Sequence, residues 1–401
     1  MLPVIGVLAA FLLIVVLRLR NVDFSISILA GALVVGITST APVEVFISAV
    51  MDTLQDPVTF SLSMAVALIS VLGFSLKETN LISGLVEGLR TILPGQALLA
   101  MIPALFGLLS MPGGALMSAP FNDPVADRLR LSPEQRTYMN VWFRHLWYWA
   151  SPISPTPLLA ASLAGITLNH FLSAQLPLFI VTVTLGFVVS SRFIRGGTPG
   201  ALRLKGLKNV TDGLLPIFVT VALSIVGVPV WASLICGIAL VFIIGKVPSS
   251  RMLGLVHGGI RWDIVASVVS MLFFRSVVLA SGSVVALFNS VARLGIPLIV
   301  ILIVVPLLIG AISGTPTMGI GMAFPLLLPL CGNAGVHVVS VVYTGIICGY
   351  LASPMHLCLI LTNKYYKSEL GRVYRYLVPS VIVLYIVSVA YHLFTNGSSL
   401  V

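Results

Sequence analysis

The chain is a succession of apolar runs, most of them near the roughly 20 residues a helix needs to cross a hydrocarbon core. Its charged residues fall mainly between those runs. A pattern of this kind predicts helices that cross a bilayer repeatedly. Composition agrees: of 401 residues, 58% are hydrophobic and only 8% charged, against about 25% charged in a soluble domain. So few charges would not cover a water-facing surface, which excludes a soluble enzyme, a nucleic-acid binder and a disordered chain.

The predicted spans are 1–17, 24–42, 58–77, 136–168 and 171–191 in the first half. In the second half they are 212–227, 230–246, 262–281, 336–364 and 376–395. The first run has its basic residues, Arg18 and Arg20, behind it rather than in front, so it reads as a retained span and not a signal peptide. Stretches 96–121 and 297–331 are interrupted by Pro and Gly clusters. Each is too long for one helix and too short for two crossings, and is expected to form a re-entrant hairpin.

If the hairpins do not change sides, 19 of the 22 Lys and Arg fall on one face, in segments 18–23, 77–94, 122–136, 192–211, 246–263 and 364–375. The other face keeps Arg293 with Glu44, Asp52 and Asp56. The positive-inside rule makes the basic face cytoplasmic and places both termini outside a prokaryotic plasma membrane. The net charge of +10 is thus a matter of orientation, and no nucleic-acid partner is expected.

The two halves resemble each other. Residues 22–37 align without a gap on 228–243, Ser83-Gly84 on Ser281-Gly282 and Lys77 on Arg275. Pro103, Gly107 and Ser110 align on Pro306, Gly310 and Ser313, and Ala150-Ser151-Pro152 on Ala352-Ser353-Pro354. With five spans per half, an odd number, the second copy must insert upside down. The expected fold is an all-α integral membrane protein of about ten spans in two inverted repeats. The first repeat is 1–191 (hairpin 96–121, broken helix 136–168) and the second 212–401 (hairpin 297–331, broken helix 336–364), joined by a basic cytoplasmic linker, 192–211. Inverted repeats with discontinuous helices recur in secondary transporters, whose sites lie where the breaks meet.

The hairpins turn at Ser110-Met111-Pro112-Gly113-Gly114 and at Ser313-Gly314-Thr315-Pro316-Thr317. The first broken helix carries Ser151-Pro152-Ile153-Ser154-Pro155-Thr156-Pro157, whose prolines deprive the carbonyls of Tyr148, Ser151 and Ile153 of their helical donors. The second break is slighter, Ser353-Pro354-Met355-His356. Free carbonyls and hydroxyls suit a hard cation such as Na⁺, and the N-termini of the half-helices suit an anion. The candidate ligands are therefore Ser110, Gly113, Gly114, Ser151, Ser154, Thr156, Ser313, Gly314, Thr315, Thr317 and Ser353. Ionisable residues inside spans add Arg144, His145, Arg275 and His356. No Asp or Glu lies mid-span; Asn122-Asp123, at the exit of the first hairpin, comes nearest. An interfacial belt accounts for Trp142, while Trp147, Tyr148 and Trp149 lie deeper and are candidates to line a cavity. Cys236, Cys331, Cys348 and Cys358 lie in apolar runs and read as small buried hydrophobes.

With these hairpins and paired breaks the chain resembles the ion transporter superfamily, which includes dicarboxylate, citrate, gluconate and arsenite carriers. Within that group its length and motifs are similar to a prokaryotic membrane family known as domain of unknown function 401. Sodium-coupled members carry Ser-Asn-Thr at the hairpin tip and the broken helix. The matching places here read Ser110-Met111-Pro112, Ser151-Pro152-Ile153, Ser313-Gly314-Thr315 and Ser353-Pro354-Met355, keeping Ser and lacking Asn.

The function expected is secondary active transport of a small, anionic solute by alternating access. No cofactor is expected beyond Na⁺ or H⁺ as a coupling ion. The expected partners are the lipid bilayer, the small-molecule or ion substrate, and a second copy in a homodimer. A channel or lipid translocator of the same fold stays open as an alternative. An intramembrane enzyme is a weaker one, because Gly-x-Ser-x-Gly, His-Glu-x-x-His and Asp-rich motifs are all missing.

Overall fold

The computed structural model describes residues 2–20, 22–109, 114–192, 194, 206–293, 295–332 and 334–396, and among them there are helices and no strand. The first half forms α1 (Leu2–Leu19), α2 (Phe24–Ile37), α3 (Pro42–Gln55), α4 (Pro57–Glu78), α5 (Leu81–Ile92), α6 (Gly95–Leu108), α7 (Gly114–Arg128), α8 (Pro133–Arg144), α9 (Pro155–Ala164) and α10 (Leu168–Ser190). The second half repeats this order: α11 (Leu207–Ile225), α12 (Val230–Ile244), α13 (Ser249–Gly259), α14 (Trp262–Ala280), α15 (Ser283–Arg293), α16 (Leu298–Ser313), α17 (Pro316–Leu327), α18 (Val336–Ala352), α19 (Leu357–Tyr366) and α20 (Leu370–Asn396). Most of the basic 192–211 segment lies outside the described residues.

This is a multi-pass membrane protein by its helices. Six of the described helical segments are long and apolar enough to cross a membrane by length and composition, and several shorter apolar helices accompany them. Large apolar side chains such as Leu12, Ile37, Phe218 and Ile243 are exposed, while Asn140, Thr344, Ser353 and His356 are buried. Polar residues inside and apolar residues outside are what a lipid-facing bundle requires.

Four helices escape a search for apolar runs: α3, α5, α13 and α15. All four are short, and α5 is apolar on one face only. In α5, Ile82, Leu85, Val86 and Leu89 are buried while Glu87 is exposed, and Arg90 pairs with it at 3.0 Å and donates to the Phe121 carbonyl at 2.9 Å. Local chemistry sets several starts. The Asp56 carboxylate accepts the Val58 N–H at 2.9 Å just before Pro57 opens α4, and Ser132 with Gln135 forms a capping box at α8.

The halves interlock. α2 packs on α14 and α12 on α4; α5 packs on α11 and α15 on α1; α7 packs on α19 and α17 on α9. Within each half the hairpin's first helix lies against the helix before the break, α6 on α8 and α16 on α18. Two sequence pairings fail in this geometry. Ser83-Gly84 lies inside α5, whereas Ser281-Gly282 precedes α15, so its counterpart is Thr79-Asn80. Both Asn80 (φ 59°) and Gly282 (φ 68°) are left-handed, because the same tight turn is made twice. Likewise Lys77 ends α4 while Arg275 lies well inside α14, so the two are not equivalent.

Candidate functional site

The first break is complete. α8 ends at Arg144, a short 3₁₀ turn covers Leu146–Tyr148, and α9 begins at Pro155. Pro152 leaves the Tyr148 carbonyl without its helical donor, and the hydroxyl of Tyr343, from the other half, donates to it instead at 2.6 Å. The Ser151 carbonyl accepts the Ser154 N–H at 3.4 Å. The slighter second break is just as real: Ser353 is extended, and α19 starts only at Leu357. The Ser353 hydroxyl donates to the Ala311 carbonyl of α16 and accepts the Met355 N–H at 3.0 Å. The Ser353 side chain thus holds the opened chain to α16 while its own oxygen takes the Met355 N–H freed by the break.

At the second hairpin, Ser313 ends α16, Gly314 turns the chain at φ +69°, and Thr315 is extended ahead of Pro316 at the start of α17. The Ser313 hydroxyl donates to the carbonyls of Thr315 (3.0 Å) and Gly310 (3.2 Å), which locks the turn. The tip of the first hairpin, with Ser110 and Gly113, lies outside the described residues.

Between these breaks runs a cavity of about 430 Å³. Of the residues expected from the sequence, Arg144, His145, Ser154, Thr156, Gly314, Thr315 and Thr317 line it. Ser313, Ser353 and His356 are buried but off its wall. Ser151 faces a second, apolar cavity of about 470 Å³ against α11. Gly114 starts α7, and Arg275 sits half-buried on α14 away from the cavity; Val268 and Met271 are what α14 presents there.

Three helix N-termini reach this cavity: α9 at Ser154, α17 at Thr315 and α19 beside Leu357 and Cys358. None has a side-chain cap, so the N–H groups these ends carry (Thr156 between two prolines on α9, Thr317 and Met318 behind Pro316 on α17, Leu357 and Cys358 on α19) are not taken by capping side chains. The buried Arg144 guanidinium adds a full positive charge to their partial ones. The other end carries Arg18, Asp23, Arg261 and Asp263. There Arg261 and Asp263 pair through two hydrogen bonds of 2.9 and 2.7 Å, both about half exposed. Hydrogen bonding from Ser25 holds the Asp23 carboxyl below the usual carboxylate range.

Two glycines let the hairpins close in. A Cβ on Gly107 would stand 1.8 Å from the Arg144 carbonyl oxygen, and one on Gly310 would stand 2.1 Å from that of Ile346. These are the residue pairs that matched in the sequence, and both clashes are with backbone.

The aromatic expectations divide. Trp142 is fully buried, its indole N–H donating to the Thr182 carbonyl at 3.0 Å, so it belongs to the core and not to an interfacial belt. Trp147 and Tyr148 line the cavity; Trp149 is buried away from it. Asp123 accepts the Tyr365 hydroxyl at 2.6 Å, which ties α7 to the α19 end and keeps the carboxylate off the cavity wall. The sequence reading missed Tyr350 and Cys358. Tyr350 gave no signal, being one aromatic in an apolar run. Cys358 gave one, standing two residues after His356. Cysteines as buried hydrophobes holds for Cys348 alone: Cys331 and Cys358 are half-buried and Cys236 is exposed.

At the inner end His145 meets Tyr350 and His356, with ring centroids of His145 and His356 4.8 Å apart. The His145 Nδ1 is 2.6 Å from the Val141 carbonyl, and its Nε2 lies 3.5 Å from the Tyr350 hydroxyl.

The chain belongs to the family described as protein of unknown function DUF401, whose model matches residues 4–394. Its fold is similar to that of the YdaH transporter from Alcanivorax borkumensis, with a TM-score of 0.64 at 14% identity over 90% of both chains. Among curated proteins no sequence match is found.

Proposed function

We propose that this member of the family is a secondary active transporter of a small anionic solute, working by alternating access in a prokaryotic plasma membrane. Three uncapped helix N-termini and Arg144 facing one cavity support that reading. Anions are favoured at such termini by partial charges that need no rearrangement, and half-helices aimed at a midplane site are how secondary carriers hold anionic groups. A transporter's fold in a distant relative is consistent with it.

The proposed architecture has ten spans in two inverted repeats, with α6–α7 and α16–α17 as re-entrant hairpins and both termini outside. The reciprocal packing of α7 on α19 and α17 on α9 supports the repeat. The cavity mouth carries Arg18 and Arg261, which belong to the Arg/Lys-rich face. In this orientation the cavity opens to the cytoplasm and the conformation is inward-facing. The units that move would be the hairpins with their broken helices, against the frame of α2, α4, α12 and α14.

Purified protein in proteoliposomes, tested for counterflow with a panel of organic and inorganic anions and with Na⁺ or a pH gradient imposed, tests the proposal. Saturable accumulation of an anion is expected. Flux that does not saturate would identify a channel instead, and an unaltered rate in Arg144→Gln would remove the assigned site.

A further inference from the structure

Cys358 and His145, on the inner wall of the cavity, meet His356 just behind that wall, the three coming from the two broken helices. One ligand atom from each lies within 4.8 Å of the others. His356 is fully buried with the Leu351 backbone as its one polar neighbour, which can take an N–H but not the lone pair of the other ring nitrogen. Burying an imidazole in that way is costly unless something takes its lone pair. His145 is arranged differently. A carbonyl can only accept, so Nδ1–H donates to Val141 and Nε2 keeps its lone pair on the side of Tyr350 and His356. That backbone contact is the orienting bond which metal-bound histidines commonly carry.

We propose that His145, His356 and Cys358 form a binding site for a soft monovalent cation, Cu⁺. A thiolate with two imidazoles is a soft ligand set, and three ligands suit a trigonal ion. Charge selects the oxidation state. Cu⁺ with one thiolate is neutral, whereas Zn²⁺ would leave a net positive charge buried beside Arg144, where desolvation and repulsion both oppose it. On binding, the Cys358 thiol gives its proton to water in the cavity and copper stays Cu⁺ throughout, so no oxidant is needed. Bonds of about 2.0 Å to nitrogen and 2.3 Å to sulfur hold trigonal ligand atoms roughly 3.5–3.8 Å apart. The present 4.8 Å spread therefore closes by about 1 Å, within reach of a rotation of Cys358 in the first turn of α19. Cys358 is half-buried and lines the cavity, which provides the route in.

The proposal stands apart from the transport reading because its test measures retained metal and not flux. Purified protein in detergent, under anaerobic reducing conditions, is loaded with Cu⁺ from its bicinchoninate complex, desalted and analysed by mass spectrometry. Wild type is expected to keep about one equivalent, with an X-ray absorption spectrum of about two nitrogens and one sulfur. Cys358→Ser and His356→Gln should each keep less than about a tenth of that, while Cys236→Ser keeps it in full. The proposal is overturned if wild type retains no Cu⁺, if Cys358→Ser retains it, or if Zn²⁺ is retained in preference. The wild-type spectrum decides the matter even if a variant fails to fold, since a sulfur-free or all-sulfur shell also refutes it.

Discussion

Replacing Gly107 by alanine tests the closeness of hairpin and broken helix on which the site depends. The added Cβ would lie 1.8 Å from the Arg144 carbonyl oxygen and 2.8 Å from its carbonyl carbon. An ordinary contact begins at 3.4 Å, so α6 and α8 must part by about 1.6 Å at this crossing. What must yield is backbone on both sides, with no flexible side chain to swing away. The cost belongs at the upper end of overpacking, about 3 kcal/mol, which in a chain of this size lowers the melting temperature by something on the order of 5 °C. Arg144 is the residue pushed, so transport should fall as well. Gly310→Ala, facing the Ile346 carbonyl oxygen at 2.1 Å, should behave alike. Gly254→Ala on α13, where nothing lies within 4 Å, should be neutral or gain up to about 1 kcal/mol of helix propensity. Thermal unfolding in detergent, followed by tryptophan fluorescence, measures all three. A Gly107→Ala protein that melts with wild type would refute the close crossing.

Other outcomes follow from the same geometry. Arg144→Gln should weaken anion counterflow by two to three decades, since a guanidinium near 4 Å from a monoanion at an effective dielectric of about 20 contributes about 4 kcal/mol at most; Arg144→Lys should restore part of it. Tyr343→Phe removes the hydroxyl that satisfies the Tyr148 carbonyl and should cost about 1–3 kcal/mol, read as a lower melting temperature with the Cys358 environment unchanged. In a Cys236→Ser/Cys331→Ser background, a membrane-impermeant maleimide should label Cys358 in inside-out vesicles and not in right-side-out cells, while the fully buried Cys348 stays unmodified. Asp23→Ala should cost about 1 kcal/mol by removing the carboxylate that accepts the Ser25 N–H at the start of α2. Because that carboxyl is held below its ordinary value in the folded protein, the difference from wild type should be constant from neutral pH to about pH 5 and shrink only below about pH 4.

Much of the fold is legible in the chain because its causes are local. Apolar runs marked the long helices, as 58–77 did for α4 and 171–191 for α10. Proline and glycine marked the three interruptions that fall among the described residues, and Gly107 and Gly310, which align in the sequence, both occupy helix crossings that admit no Cβ. The pairing of Lys77 with Arg275 failed because it followed the register of Ser83-Gly84 on Ser281-Gly282, and a dipeptide match is too short to fix a helix register. Helices α3, α5, α13 and α15 were missed since each is only 11–14 residues long and carries polar residues that dilute the apolar signal. Arg18 and Arg261 counted only toward orientation, although folding brings them, with Asp23 and Asp263, to one cavity mouth.

The sequence by itself determined that the chain lives in a bilayer and where the described broken helices open, because those follow from hydrophobic length and from prolines without N–H groups. Tertiary structure alone decided what the breaks enclose. Tyr343 reaches the Tyr148 carbonyl, α9 meets α17, and Cys358 stands beside His145 only once two distant segments pack together. Contacts across that many residues are set by the fit of whole helices, and no short stretch of the chain carries their signal.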